Sequence, residues 1–348
     1  MTWQQLFEAI GNKSAGGVYL FQGPEEFVKR SAIDKLKESL LPEGLEALNE
    51  TTLEGVDAQT IIENAETLPV MCDKRLVIVR DWQFLLPPKK KETGAKEQSK
   101  EKNESPDPER LEKWLPQAPE SAVVVFYMRG EADKRQKAYK ALEKYANVVS
   151  FPLLTDAEIV KWVNGRLKPL GKTMKAASVS RLIFTAGREL TKLSGEVDKL
   201  AAFAGDRREI TEDDINGAVT PSIEANVFHM IDFLMAKKAK EAYGILNAML
   251  DAGESSVGIL ALIIRQMRLL THVKLLRDER LTLPEIEKRT GLSNYVCKKA
   301  YTQCANYSAK TLKQGYELSV DYDYSVKNGL VRDRAALDAM LLHLYSLS

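Results

Sequence analysis

The segment Phe21–Leu36 has the position of a phosphate-binding loop but not its residue types. It follows the apolar run Gly17–Leu20 and opens a predicted helix. The loop that cradles nucleotide phosphates reads G-x-x-x-x-G-K-[ST], in which glycines let backbone N–H groups wrap the phosphates, the lysine supplies charge and the hydroxyl binds magnesium. When Gly23 is placed on the first glycine, the last three motif positions fall on Val28, Lys29 and Arg30.

These residues remove the chemistry that a triphosphate needs. Val28 cannot readily adopt the positive φ that the second glycine supplies, and Arg30 offers no hydroxyl to a metal ion. Glu25 and Glu26 would repel a triphosphate. The segment therefore predicts a degenerate, non-functional phosphate loop.

Nucleotide hydrolysis also needs an acidic residue at a strand end to hold magnesium, and usually a second one to orient water. The candidate strand end is "LVIVRDWQ", where Asp81 stands without a second acid. Because both parts of the site fail, we expect no ATPase activity and no nucleotide cofactor.

Metal and nucleophile chemistry have no better candidates. His229, His272 and His343 are far apart and lie in amphipathic patterns, while Cys297 and Cys304 are placed to share one helix face. Two sulfurs without further ligands favour packing over zinc. No G-x-S-x-G motif is present to activate a serine. We expect no metal site and no catalytic residues.

The segment Leu281–Cys304 has the pattern of a helix-turn-helix. Thr282 and Ser293 can cap two helices, and Gly291 suits the turn between them. The second helix would carry Lys298, Lys299 and Tyr301 toward DNA. Helix pairs joined by a glycine turn are also ordinary packing units. The residues favour packing, and a DNA-binding regulator remains the alternative.

The segment Glu66–Val79, "ETLPVMCDKRLVIV", places three apolar residues between a helix and a strand. Pro69 blocks continuation of the helix, so Leu68, Val70 and Met71 lie at its end or in a short loop. Such side chains either tuck under the sheet or face a partner. The residues alone favour tucking, because connections often return apolar side chains to the core.

Composition describes an ordinary globular protein. The 348 residues are 44% hydrophobic and carry a formal charge of +1, so no global field draws the chain to nucleic acid or a membrane. The three cysteines form no CxxC pair, which is typical of reduced cytosolic thiols. The longest apolar run, Val257–Ile264, is too short to span a membrane, and the start lacks a signal-peptide pattern. We expect a soluble cytoplasmic protein without a membrane partner.

The first part of the chain predicts an α/β domain, residues 1–152. Continuous β-branched runs separated by helical patterns indicate a parallel sheet covered on both faces. The predicted strands are 17–21, 75–79, 122–128 and 147–151, and the predicted helices are 25–40 and 57–66. The lysine-rich stretch 87–109 interrupts them and is expected to be a mobile, solvated insertion, with DNA contact left open.

From Thr155 onward the periodicity is helical throughout. "TDAE" predicts a capping box, in which Thr155 and Glu158 satisfy each other's backbone N–H groups. Further helices are expected at 175–185, 189–204 and from 211. We predict an all-α three-helix lid, 153–218, and an all-α collar, 219–348.

In their order and spacing these segments resemble the delta subunit of the bacterial DNA polymerase III clamp loader. The resemblance rests on "GPEEFVKR", "TLPVMCDKRLVIV", "TDAEIVKWV", "GRELTKLSGEVDKLAAFAG" and "FHMIDFLMAKKAKEAYGILNAML", and it covers essentially the whole chain. The family implies an AAA+-like domain that does not use ATP, a lid, and a collar that assembles with gamma/tau and delta-prime subunits into a heteropentamer.

The resemblance also implies a function for the segment that residues alone leave undecided. In the family this segment binds the ring-shaped sliding clamp, the beta subunit, and helps to open it for loading onto primed DNA. Carried over residue by residue, the clamp-binding positions are Leu68, Pro69, Val70 and Met71. Val70 and Met71 replace the family's common aromatic pair. The protein would then be a non-catalytic subunit of the DNA polymerase III holoenzyme.

Overall fold

The computed structural model describes residues 1–87 and 107–347. They form two compact units, of which the first is Met1–Leu154 and the second begins at Thr155. The insertion predicted at 87–109 lies mostly outside the described residues. Its predicted end is wrong, because a helix already begins at Asp107. The division of the second unit into a lid and a collar near residue 218 stays a prediction.

The first unit is an α/β domain. Its elements in chain order are α1 (Trp3–Gly11), β1 (Gly17–Gln22), α2 (Glu26–Leu40), α3 (Glu46–Asn49), β2 (Glu50–Glu54), α4 (Ala58–Glu66), β3 (Arg75–Arg80), α5 (Asp107–Trp114), β4 (Ala122–Tyr127), α6 (Lys137–Tyr145) and β5 (Asn147–Ser150). The five strands are parallel and lie in the order β2-β3-β4-β1-β5. This confirms the predicted α/β class with a parallel sheet.

The central strands form where the sequence has apolar β-branched runs. All residues of β4 are buried, as are Leu76–Val79 of β3, because helices cover both faces of a parallel sheet. One side of the sheet packs against Ile61, Ile62 and Ala65 of α4. This packing fixes the end of α4 beside the start of β3.

Strand β2 was not predicted from the sequence. It pairs only with β3, at the edge of the sheet, and none of its residues is buried. Because an edge strand without buried residues needs no apolar run, its sequence "ETTLE" has none by which the strand could be predicted. The helices α1, α3, α5 and α6 were also not predicted.

The second unit is almost entirely helical. Its helices are α7 (Asp156–Leu167), α8 (Ala176–Ala186), α9 (Leu190–Phe203), α10 (Glu212–Ala218), α11 (Ile223–Met235), α12 (Ala239–Asp251), α13 (Ser256–Asp278), α14 (Leu283–Thr290), α15 (Asn294–Gln303), α16 (Ala309–Lys327) and α17 (Asp333–Leu347). The Thr155–Glu158 capping box is present. The prediction of helix throughout is wrong at one place, where β6 (Thr173–Met174) pairs in parallel with β7 (Glu209–Ile210).

The helices from α11 to α17 share one apolar core. Met230, Ile263 and Met340 are fully buried in it, and so are Cys297 of α15 and Cys304, which directly follows that helix. The two cysteines thus pack in the core, as their shared helix face predicted. Among the described residues, no helix combines the length and the apolar character needed to cross a membrane.

Candidate functional site

The loop between α4 and β3 presents apolar side chains to solvent. Leu68 is 77% exposed, Val70 43% and Met71 84%. The expectation that these residues tuck under the sheet is therefore wrong. The space against the sheet is already filled by Ile61 and Ala65 of α4, so the residues beyond the helix end have no core position to occupy.

Local chemistry sets the path of this loop. Helix α4 ends at Glu66, and the Thr67 hydroxyl donates to the carbonyl oxygen of Glu63 at 2.8 Å. Pro69 lacks an N–H group and cannot continue the helix. Met71 then has φ +57°, a left-handed conformation that a long side chain adopts at a cost of about 1–2 kcal/mol. The loop is consequently a sharp turn with Leu68 and Met71 on its outside.

The side chain of Asn49 fixes the middle of the loop. The Val70 N–H donates to Asn49 Oδ1 at 2.7 Å, and Asn49 Nδ2 donates to the Val70 carbonyl oxygen at 2.9 Å. The same amide also donates to the Leu45 carbonyl oxygen at 3.1 Å. Asn49 is fully buried, so these bonds are protected from water. Val70 is therefore held by its backbone while its side chain stays outside.

Arg75, the first residue of β3, braces the same region. Its Nε donates to the Asn64 carbonyl oxygen at 3.0 Å, and its Nη1 donates to the Leu48 carbonyl oxygen at 3.1 Å. Its Nη2 reaches the Thr51 hydroxyl at 2.9 Å. One guanidinium group thus joins α3, β2 and α4 beside the exposed loop. Planar donors in a fixed fork suit such a junction better than a flexible ammonium group.

At the position of a phosphate loop, the backbone N–H groups already have partners inside the protein. The Gly23 N–H donates to the Gly130 carbonyl oxygen at 2.9 Å, and the Glu25 N–H donates to that of Phe151 at 3.0 Å. Gly23 has φ +114°, and a Cβ atom placed there would lie 2.4 Å from the Phe151 carbonyl oxygen. Gly23 therefore permits close backbone packing here rather than an open cradle for phosphate.

The lysine of the degenerate motif is also used internally. Lys29 is fully buried, and its Nζ donates to the Met128 carbonyl oxygen at 2.5 Å and forms an ion pair with Glu26. It also lies 5.0 Å from the centre of the Tyr127 ring. Val28 is buried and Arg30 is exposed. The charge that would bind a phosphate is neutralised by the protein itself.

The candidate magnesium ligand has a cationic partner instead. Asp81 follows β3 and accepts hydrogen bonds from both the backbone N–H (2.9 Å) and the guanidinium of Arg129. Hydrogen bonding to Asp81, together with its charge, raises the pKa of Arg129. Among residues 1–87 and 107–347, no three His, Cys, Asp or Glu side chains converge in a way that could hold a metal ion.

Comparison with known proteins decides the family. A model described as the DNA polymerase III delta subunit matches residues 19–152, and a model of that subunit's C-terminal domain matches residues 224–344. The first of these contains both the exposed loop and the degenerate phosphate loop. The chain belongs to the DNA polymerase III delta subunit family. This confirms the resemblance recognised in the sequence.

Individual relatives agree with the family models. The DNA polymerase III subunit delta of Bacillus subtilis (strain 168) is 28% identical over 330 residues, which span 94% of this chain and 92% of the relative. The probable DNA polymerase III subunit delta of Aquifex aeolicus (strain VF5) is 22% identical over 296 residues, 84% of this chain and 81% of the relative. Among solved structures, the Bacillus subtilis DNA clamp loader delta protein superposes with a TM-score of 0.59 at 25% identity, over 99% of both chains.

The helix-turn-helix predicted in the second unit exists as a structure. Helix α14 starts with a capping box between Thr282 and Glu285, Gly291 ends it in a left-handed conformation, and Ser293 caps α15. The side chains expected to read DNA are mostly engaged elsewhere. Arg277 lies 4.4 Å from the Tyr301 ring centre, and Lys299 lies 5.9 Å from that of Tyr295. Of the three side chains expected to contact DNA, Lys298 is exposed, while Lys299 and Tyr301 are half-buried. The partial burial of those two favours the packing interpretation.

Of the remaining candidate side chains, Cys297 is buried and His229 is half-buried, whereas His272 and His343 are exposed. Burial raises the pKa of the Cys297 thiol to about 11, so it is not a reactive thiolate at neutral pH. Burial, with the charges of Arg181 and Lys299, lowers the pKa of His229. His229 lies among aromatic rings, 6.1 Å from the Phe184 ring centre. Asn49 and Arg75, which position the exposed loop, were missed by sequence reasoning, because only the fold brings them to it.

Proposed function

We propose that this chain binds the sliding clamp, the beta subunit, through Leu68, Pro69, Val70 and Met71, and helps to open the ring for loading onto primed DNA. The observation that carries the proposal is the exposure of Leu68 and Met71 on a loop whose backbone is held by buried groups. The family relationship supports it, since the resemblance implies a clamp-binding element at these positions.

The Leu68–Met71 loop would bind the clamp by burying side chains that now face water. Burying each of the three apolar side chains gains about 1.5–3 kcal/mol, or roughly 5–9 kcal/mol together before the loss of rigid-body and side-chain freedom. A preorganised loop reduces that loss. Met71 and Leu68 are the most exposed and would enter the clamp's pocket furthest, since the unbranched Met side chain adapts to irregular cavities.

Ring opening then requires a difference in affinity. A protein shifts its partner toward the open state only as far as it binds that state more tightly than the closed one. No nucleotide turnover on this chain is needed for such a shift. Groups that would serve ATP hydrolysis already have partners within the protein. They are the Lys29 ammonium, the N–H groups of Gly23 and Glu25, and the Asp81 carboxylate. These internal bonds support a role without ATP hydrolysis.

Further partners follow from membership of a clamp loader. The proposal includes assembly with gamma/tau and delta-prime subunits in a heteropentamer through the helical collar, contact with primed DNA within that complex, and a cytoplasmic location. In this assembly the chain is a non-catalytic subunit of the DNA polymerase III holoenzyme. ATP-binding neighbours would govern when the loop reaches the clamp.

The direct test is clamp retention without nucleotide. Immobilised sliding clamp from the same organism is incubated with the wild-type chain, with a Val70→Asp, Met71→Asp variant, and with a Leu330→Asp, Val331→Asp variant as a matched control. The control pair is also exposed and adjacent, but it lies in the second unit. We expect retention of the wild type and the control and loss of the loop variant. Equal retention of all three folded proteins would refute the site assignment.

A further inference from the structure

An exposed leucine lies in the structural element that holds the loop. Leu48 belongs to α3, a single turn of helix, and is 53% exposed. The next residue, Asn49, makes both hydrogen bonds to the Val70 backbone. Leu48 is thus the immediate sequence neighbour of a residue whose side chain contacts the middle of the proposed clamp-binding segment.

Arg75 joins the two segments a second time. Its guanidinium donates to the Leu48 carbonyl oxygen at 3.1 Å and to that of Asn64, near the end of α4, at 3.0 Å. Hydrogen bonds from the buried Asn49 and the half-buried Arg75 therefore join the backbone of α3 to the base of the loop. Such a junction presents both segments as one rigid surface.

The exposed apolar side chains of the first unit concentrate at this junction. Eight large apolar side chains are exposed in the described part of that unit, and four of them are Leu48, Leu68, Val70 and Met71. Scattered exposed apolar residues are normal, but a concentrated group marks an interaction surface. We therefore interpret Leu48 as part of an interaction surface and not as an isolated exposed leucine.

The size of the loop makes a second contact necessary. Specific protein interfaces bury about 800 Å² on each partner, far more than three side chains provide. Asn49 and Arg75 tie α3 to the loop region by hydrogen bonds, and α3 carries the exposed Leu48.

We propose that the clamp-binding surface consists of two segments, α3 and the α4–β3 loop, and that Leu48 contacts the clamp directly beside Met71. This inference rests on the proposed function, because it takes the sliding clamp as the partner. Asn49 acts as the positioning residue that keeps the two segments in register.

The test compares three single variants of the full chain for equilibrium binding to the purified clamp without nucleotide. Leu48→Asp tests the inference, and Met71→Asp tests the proposed function. Leu170→Asp is the matched control, because Leu170 is 52% exposed but lies in the second unit. We expect Leu48→Asp to weaken binding by about tenfold or more, as for a buried interface contact. Leu170→Asp should bind as the wild type does.

The outcomes separate the two proposals. If Met71→Asp loses binding while Leu48→Asp binds like the wild type, the two-segment surface is overturned and the proposed function stands. If neither variant loses binding, the proposed function itself fails. Leu48→Ala, which keeps helix propensity, is measured alongside to remove any effect on folding. Equal thermal midpoints for Leu48→Ala and the wild type, with weaker clamp binding, would exclude a merely structural role.

Discussion

Asn49 pairs with Val70 as a neighbouring strand would, accepting from its N–H at 2.7 Å and donating to its carbonyl oxygen at 2.9 Å. A single buried side chain therefore supplies partners for both backbone groups of Val70. The exposed residues Leu68 and Met71 flank this fixed point. Their presentation to solvent depends on a residue that lies 21 positions before Val70 in the sequence.

Replacing Asn49 by Ala should release the loop. Val70 loses both partners, and leaving such groups unpaired costs about 1–3 kcal/mol. We expect faster hydrogen exchange at the Val70 amide and weaker clamp binding. Asn64→Ala is the control, because Asn64 also bonds a carbonyl oxygen, that of Thr60, but not the loop. If the Val70 amide exchanges equally slowly in wild type and Asn49→Ala, the positioning role is wrong.

Replacing Met71 by Gly should separate conformation from contact. The left-handed backbone at φ +57° suits glycine, while the unfolded chain gains freedom, so the two effects largely offset each other. We expect the free energy of unfolding in urea to change by less than about 1 kcal/mol. Clamp binding should nevertheless fall by about tenfold or more, because the side chain is gone. Unchanged clamp binding would show that Met71 only shapes the turn.

Lys29 should behave as a structural residue. Lys29→Met keeps the aliphatic stem but leaves Glu26 and the Met128 carbonyl oxygen without their cation. Breaking a buried ion pair costs about 3–5 kcal/mol, and partial exposure of Glu26 reduces this to about 2–4 kcal/mol. Urea unfolding measures the loss, with Lys35→Met on the same helix as a control at an exposed site. Nucleotide turnover that Lys29→Ala abolishes would instead revive a hydrolase.

The second unit should carry an acid-sensitive ion pair. Arg207 donates to Asp214 from Nη1 at 2.9 Å and from Nη2 at 2.6 Å, and these bonds lower the pKa of Asp214 well below its usual range. A depressed folded-state pKa gives stability that is present at neutral pH and is lost as pH falls below the unfolded value of about 4. The difference in thermal midpoint between wild type and Asp214→Asn should therefore shrink between about pH 4 and pH 2.

The adjacent Asp213 offers the comparison for this pH dependence. It is exposed and lies on the same helical turn of α10, so Asp213→Asn changes the same net charge without touching the Arg207 pair. We expect its thermal midpoint to follow that of the wild type at every pH. A constant gap between wild type and Asp214→Asn from pH 7 to pH 2 would contradict the assignment.

Elements with buried apolar patterns were predictable from the sequence, and elements fixed by distant partners were not. The runs "GVYLF" and "AVVVFY" identify β1 and β4 because parallel strands are buried on both faces. Strand β2 has no such run, since its position depends on pairing with β3. Capping residues such as Thr155 and Ser293 were predictable because their partners lie three residues away.

The candidate site was only partly predictable for the same reason. The boundaries of the Leu68–Met71 loop follow from Pro69 and the strand that begins at Arg75. Its exposure does not, because α4 occupies the sheet surface and Asn49 fixes the backbone. The residue types at Val28 and Arg30 predicted a degenerate phosphate loop, but only the fold shows that Glu26 and Met128 satisfy Lys29.

The buried ion pair of Lys29 also bears on how this chain responds to the energy state of a cell. A protein stabilised by a bound nucleotide gains or loses stability as that nucleotide's concentration changes. Here the positive charge is balanced by Glu26, which is part of the same polypeptide and is present at constant stoichiometry. We therefore expect this chain to keep the same folded stability when ATP is exchanged for ADP, during growth and during starvation alike.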